Sequence, residues 1–151
     1  MPMPWTYRHA TREWQAFVAD VREEMGLVTD NMAYTAVEGV LRAFRARLTP
    51  QQALDFAQVL PSVLRAIFVS QWQIAPPLPP GTRSDWTQDA QSLRPHHNLT
   101  PPNCIVATAI ALRKSVQRSD LDRVLATLPA FATDFWSTPG TDPASLGPRI
   151  V

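Results

Sequence analysis

Apolar residues recur at intervals of three and four along most of the chain, the spacing of helices with one buried face. Trp14, Phe17, Val18, Val21 and Met25 predict a first helix, with Thr11 as its N-cap and Gly26 as a left-handed stop. Ala33, Val37, Val40, Leu41, Phe44 and Leu48 predict a second, opened by Thr29 or Asp30. Its opposite face carries Glu38, Arg42, Arg45 and Arg47. The run Thr49-Pro50-Gln51-Gln52 is a capping box with proline at the first helical position, so a third helix begins there and buries Ala53, Phe56, Ala57 and Leu60. Pro61 breaks it, because a proline clashes with the preceding turn. A fourth helix restarts with Val63, Leu64, Ile67 and Phe68 inward and ends near Trp72.

The pattern then repeats. A short helix from Asp85 to about Leu93 is expected, with Ser84 as cap, Trp86 inward and Pro95 as its stop. Thr100-Pro101 opens a helix through Cys104, Ala107, Ala111 and Leu112 to about Val116. Ser119 caps another with Leu121, Val124, Leu125 and Leu128, and after Pro129 a last helix presents Phe131, Phe135 and Trp136. Laying Leu60-Pro61 on Leu128-Pro129 aligns the two stretches without a gap: Ala43 on Ala111, Arg45 on Arg113, Leu48 on Val116, Phe68 on Trp136. A unit that cannot bury its apolar face alone is expected to cover it with a second copy.

The fold class expected is therefore all-α, a compact bundle of about eight short helices formed by two pseudo-repeated four-helix halves. Residues 1–10 are an N-terminal arm, kept extended by Pro2 and Pro4 and pinned by Trp5 and Tyr7; 11–73 are the first repeat and 84–137 the second. Residues 74–83 are a proline-rich linker with polyproline II character, and 138–151 a loosely ordered tail. The whole is one compact domain.

Composition narrows the picture. With 45% hydrophobic and 18% charged residues in 151, the chain can bury a core without staples. A net charge of +1 implies no general pull toward nucleic acid or an anionic membrane. No apolar run is long enough to span a bilayer, and the first residues lack the pattern of a secretory signal. The single cysteine rules out an intramolecular disulfide, so a reducing, cytoplasmic location is expected.

The segment FRARLTPQQALDFAQVLPSVLRAIFVSQW and the later LDRVLATLPAFATDFW resemble the bacterial domain-of-unknown-function family DUF2267. The positions that carry the resemblance are Arg47, Leu48, Thr49, Ala53, Leu60, Pro61, Trp72, Leu128, Pro129 and Trp136, within a stretch of roughly residues 5 to 137. The resemblance implies a helical fold with two repeats and no activity. This chain departs from the family pattern at Ala66, where a glycine is usual, at Ser70-Gln71 in place of an acidic residue, and at Arg118-Ser119 in place of Gly-Glu.

Candidate chemistry is sparse. His96 and His97 are adjacent and have no partner at metal-ligand spacing, so a solvated loop is the plainer reading. Cys104, in the first turn of a helix, is a candidate reactive thiol through the helix dipole; a half-buried structural cysteine is the plainer reading. Glu13, Glu23, Glu24 and Glu38 lack the Glu-x-x-His motifs of a di-metal bundle. Arg42, Arg45, Arg47 and Arg65 form a candidate basic strip for an anion or an acidic helix, or simply solubilise helix faces. Of the five tryptophans, Trp14, Trp86 and Trp136 fit core positions, while Trp5 and Trp72 are interface candidates.

No catalytic residue, metal or cofactor is expected. The function expected is a non-enzymatic interaction or regulatory module that binds an unknown protein partner or itself, with no membrane or nucleic-acid partner. The alternative is a small-ligand pocket between the halves, using Cys104.

Overall fold

The computed structural model describes residues 2–94 and 100–149. Among them are nine α-helices and no strand. Helices α2 (Ala10–Met25) and α3 (Asp30–Arg45) are the long ones; α4 (Pro50–Ala57) and α5 (Ser62–Val69) follow, and α1 (Trp5–Arg8) precedes them. After the proline-rich segment come α6 (Arg83–Gln91), α7 (Cys104–Arg113), α8 (Arg118–Thr127) and α9 (Phe131–Phe135), with a 3-10 turn at Pro143–Ser145.

The periodic apolar positions are the core. Phe17, Val18, Val21, Val37, Val40, Phe44, Phe56, Phe68, Trp86, Phe135 and Trp136 are all buried. Phe44 sits at the centre, with ring centroids 4.8 Å from Phe56, 4.9 Å from Phe135 and 5.4 Å from Trp136. Helix α7 is buried nearly all round: every residue from Cys104 to Arg113 except Val106 is buried.

The local signals resolve in two ways. The capping box at Thr49 forms, with Gln52 answering the Thr49 N–H at 2.9 Å. Thr29 accepts from the Met32 N–H at 3.2 Å, and Gly26 closes α2 with φ of 67°. Both prolines, Pro61 and Pro129, separate one helix from the next. Four caps differ from expectation. Thr11 lies inside α2, which starts from His9. Thr82, not Ser84, opens α6, because Asp85 completes a capping box on Thr82. Asn103 precedes α7 and Gln117 precedes α8, leaving Thr100 outside one helix and Ser119 inside the other. The first ten residues are not simply extended: α1 forms after Pro4, and Ser62 donates to the Thr6 carbonyl at 3.3 Å. The predicted stop at Pro95 lies outside the described residues.

The long helices cross between the halves of the chain. Helix α6 packs most extensively on α3, and α2 packs most extensively on α7. The α3–α6 crossing is close: a Cβ on Gly39 would lie 2.4 Å from the Ala90 carbonyl oxygen. The proline-rich segment is tied down at Leu78 and Pro80. Leu78 donates to Ala46 O at 2.9 Å, while Arg47 and Trp86 both donate to Pro80 O, at 3.1 and 2.7 Å. The final segment, expected to be loosely ordered, returns to α2, where Arg149 pairs with Asp20.

Candidate functional site

Two surfaces bring aromatic and charged groups together. The first lies at Trp5. Pro4 starts α1, and the short helix holds Trp5 with 66% of its surface exposed. His9, one turn on, packs against the indole at a centroid distance of 4.4 Å. Beneath Trp5 is a cavity of about 400 Å³, walled by Glu13 and Ala16 of α2, by Lys114 and Gln117 at the α7–α8 turn, and by Arg149. A second hollow of about 210 Å³ continues from it toward Leu60, Pro61 and Asp120, sharing Trp5 and Glu13. The cavity thus lies between the first and second halves of the chain.

Below the cavity, Asp20 is 5% exposed and pairs with Arg149. Burial raises its pKa above the ordinary 3.8, against the lowering pull of Arg149 and Lys114.

The second surface lies at Trp72, which is half-buried rather than free. The Arg45 guanidinium stands 5.5 Å from its ring centroid. A shallow groove of about 260 Å³ runs past Arg42, Arg45, Trp72, Pro76 and Leu78.

The arginines are not a solvated strip. Arg45 and Arg47 are 8% and 6% exposed. Arg45 donates to the carbonyls of Phe68 and Ser70, at 2.9 and 3.0 Å, and burial lowers its pKa. Arg47 links Ala43 O, Pro80 O and the Asp89 carboxylate. Arg42 is held by Glu38 at 2.7 Å and Gln71 at 2.9 Å. Arg65 donates to Ala57 O at 2.9 Å and so caps the end of α4 beside the proline bend. A guanidinium has five donors in a planar fork, which is why one such side chain can satisfy several orphan carbonyls at once.

Cys104 is in the first turn of α7, as expected, but completely buried. Burial pushes its thiol up to about 11, outweighing the backbone hydrogen bonds that lower it. At this position desolvation of the thiolate outweighs the stabilisation a helix N-terminus offers it. His96 and His97 lie outside the described residues. Among the described residues no three His, Cys, Asp or Glu side chains gather as metal ligands, and no helix is long and apolar enough to cross a membrane.

A family profile described as "Uncharacterized conserved protein (DUF2267)" matches residues 14–135, most of the helical body. The chain belongs to this family. No curated protein matches it. The DUF2267 match covers Arg42, Arg45, Arg65, Trp72 and Cys104, whereas Trp5, Glu13 and Arg149 fall outside it. Within this DUF2267 protein, then, the cavity at Trp5 is lined partly by residues flanking the family segment (Trp5, Glu13, Arg149) and partly by the segment itself (Ala16, Lys114, Gln117). Glu13 as a wall of the cavity was not singled out by sequence; its place seven residues before Asp20, on the same face of α2, was the available signal.

Proposed function

We propose that this protein is a non-enzymatic interaction module that recognises a protein partner through the face around Trp5. The carrying observation is that a large indole, two thirds exposed, is held on a helix tacked to the body and stands over a formed cavity. A rigid, exposed aromatic beside a pocket is the usual composition of a binding hot spot. A small ligand in the same cavity is the second reading, favoured by its volume of about 400 Å³ between the two halves.

We further read the halves as copies of one unit. Support comes from the Leu-Pro bends 68 positions apart (Leu60-Pro61, Leu128-Pro129) and from the reciprocal packing of α2 on α7 and α6 on α3. A bacterial, cytoplasmic setting belongs to the same reading; the single, buried cysteine supports the cytoplasmic part of it.

The test is photocrosslinking in source cells from a benzoylphenylalanine placed at Tyr7, which is 53% exposed. The expected result is a discrete adduct that Trp5→Ala abolishes and Trp72→Ala leaves in place. An adduct pattern unchanged by Trp5→Ala would remove the reading. Light scattering on the purified chain tells self-association from a different partner.

A further inference from the structure

The groove at Trp72 holds a guanidinium that no carboxylate answers. Arg45 is only 8% exposed, and it lines the groove. Its Nη1 donates to the carbonyls of Phe68 and Ser70. Nε and Nη2, along the other side of the planar fork, make no hydrogen bond among the described residues, and Arg45 makes no ion pair among them. The second half of the chain meets the same situation differently. Arg113 reaches the Trp136 carbonyl as Arg45 reaches that of Phe68, but it also pairs with the Asp122 carboxylate at 3.3 Å. In the alignment of the two halves Leu54 stands at the position of Asp122, so the first half brings no carboxylate of its own there.

The charges around the groove favour an anion. Arg42, one turn earlier on α3, is a second cation, and Glu38 meets its charge at 2.7 Å. Arg42, Arg45 and Glu38 therefore sum to one positive charge, and among the described residues none that lines the groove is acidic. Burial and the like charge of Arg42 both lower the pKa of Arg45, and Glu38 opposes them. The guanidinium is also held in place. Gln71, at φ of 52°, is the only non-glycine residue with left-handed backbone among the described residues. It lies between Ser70, whose carbonyl Arg45 holds, and Trp72, whose ring centroid is 5.5 Å from the guanidinium. Strain kept between the two groups that fix Arg45 marks a position held for its geometry.

A carboxylate matches the free side of the fork with its two oxygens, and its single charge balances that of the site. A phosphomonoester brings a charge closer to two. The groove, about 260 Å³, is shallow and smaller than the roughly 300 Å³ at which pockets begin to enclose a small ligand. Trp72, Pro76 and Leu78 give it apolar walls, and Ile74 beside them is 68% exposed. An occupant that fits is one acidic side chain of a larger molecule, with apolar neighbours that cover these walls.

We propose that the Trp72 groove binds an acidic peptide segment of a partner protein, whose aspartate or glutamate carboxylate pairs with Arg45 while its apolar neighbours cover Trp72 and Leu78. The site is separate from the Trp5 face and does not depend on it.

The test is an NMR titration of the full chain with a blocked pentapeptide that carries one glutamate between two leucines. The controls are the same peptide with glutamine, the same peptide with phosphoserine, and propionate. The expected result is saturable shifts at Trp72, Gln73, Ala75 and Leu78 with the glutamate peptide, and binding of the glutamine peptide at least about tenfold weaker. Trp72→Ala and Leu78→Glu each weaken binding, the second by placing a like charge in the groove; Trp5→Ala does not. Arg45→Lys keeps the charge, loses the fork and also binds more weakly. Thermal melts show which variants keep the fold. Leu78 is 48% exposed, so Leu78→Glu tests the site even where the Arg45 variant fails to fold. The proposal is overturned if the glutamate peptide saturates none of these residues, if the glutamine peptide binds as well, or if Leu78→Glu binds as well as the native chain. It is also overturned by tighter binding of the phosphoserine peptide, which makes the groove a phosphate site, and by equal binding of propionate, which makes the occupant a free small carboxylate. Shifts at these residues that follow protein concentration alone overturn it too, since a second copy of the chain then covers the groove.

Discussion

Arg45 donates to the carbonyl of Phe68 at 2.9 Å, and Arg113 stands in the same relation to Trp136, at 3.0 Å. Each arginine closes the last turn of its helix, α3 or α7, and each reaches a carbonyl 23 residues downstream, at the end of the helix that follows the Leu-Pro bend. Both are buried, at 8% and 7% exposure. Removing either guanidinium strands a carbonyl where water does not replace it. We expect Arg45→Ala and Arg113→Ala each to lower the unfolding free energy by about 2–3 kcal/mol. Lysine in place of either arginine recovers only part, because one ammonium does not reproduce the planar fork. Urea denaturation checks this. A loss no larger than that of a surface arginine would show that the two clamps do not hold the helices of each half together.

Gly39→Ala decides between two effects of opposite sign. In an open helix, alanine is better than glycine by about 1 kcal/mol. Here the added methyl would meet the Ala90 carbonyl oxygen at 2.4 Å, and that backbone belongs to α6. Overpacking of this kind costs about 1–3 kcal/mol, so net destabilisation is expected in a chemical melt. Stabilisation would mean that α3 and α6 cross with more room.

Much of the bundle was legible because its signals are local. The three-and-four spacing identifies the core positions, the Thr49 capping box needs only four residues, and each Leu-Pro bend is a steric fact about one proline. What could not be read is non-local. Nothing in the sequence of α6 says that it packs on α3 rather than on its own half. Thr82 competes with Ser84 for the same helix start, and the choice falls to Asp85 three residues after Thr82. Arg45 and Arg47 looked like a wet face because their carbonyl partners, Phe68 and Pro80, lie in elements brought near only by folding. Trp5 and Trp72 were both legible as aromatic flanks of proline-rich stretches, but the guanidinium over Trp72 and the cavity under Trp5 required the fold.

Cys104 should be chemically silent in the folded protein. Its thiol is fully buried and pushed up to about 11, so at neutral pH the nucleophilic thiolate is scarce and shielded. Ellman's reagent is expected to leave the native protein unmodified and to react with one thiol per chain only after denaturation. Rapid labelling under native conditions would show that α7 opens locally at its first turn. Cys104→Ala should leave binding at the Trp5 cavity unaltered, since Cys104 is not among the residues that line it.

The Asp20–Arg149 pair predicts the sign of a pH dependence. Burial is the largest influence on Asp20 and raises its pKa above 3.8, while Arg149 opposes the rise. The folded state therefore holds this proton more tightly than the unfolded chain does. The stability that protonation contributes is complete below the ordinary value and is lost as pH rises through the higher folded value. In Asp20→Asn that loss is removed, because the carboxamide stays neutral. Arg149, half of whose side chain is in water, keeps its hydration when the carboxylate goes. Stability measured for both proteins from about pH 3 to about pH 7 should thus show the difference moving in favour of the asparagine variant as pH rises. Movement in the opposite direction would mean that the guanidinium outweighs burial. In that case Arg149 is a strong anchor for the final segment, and that wall of the Trp5 cavity is held chiefly by an ion pair.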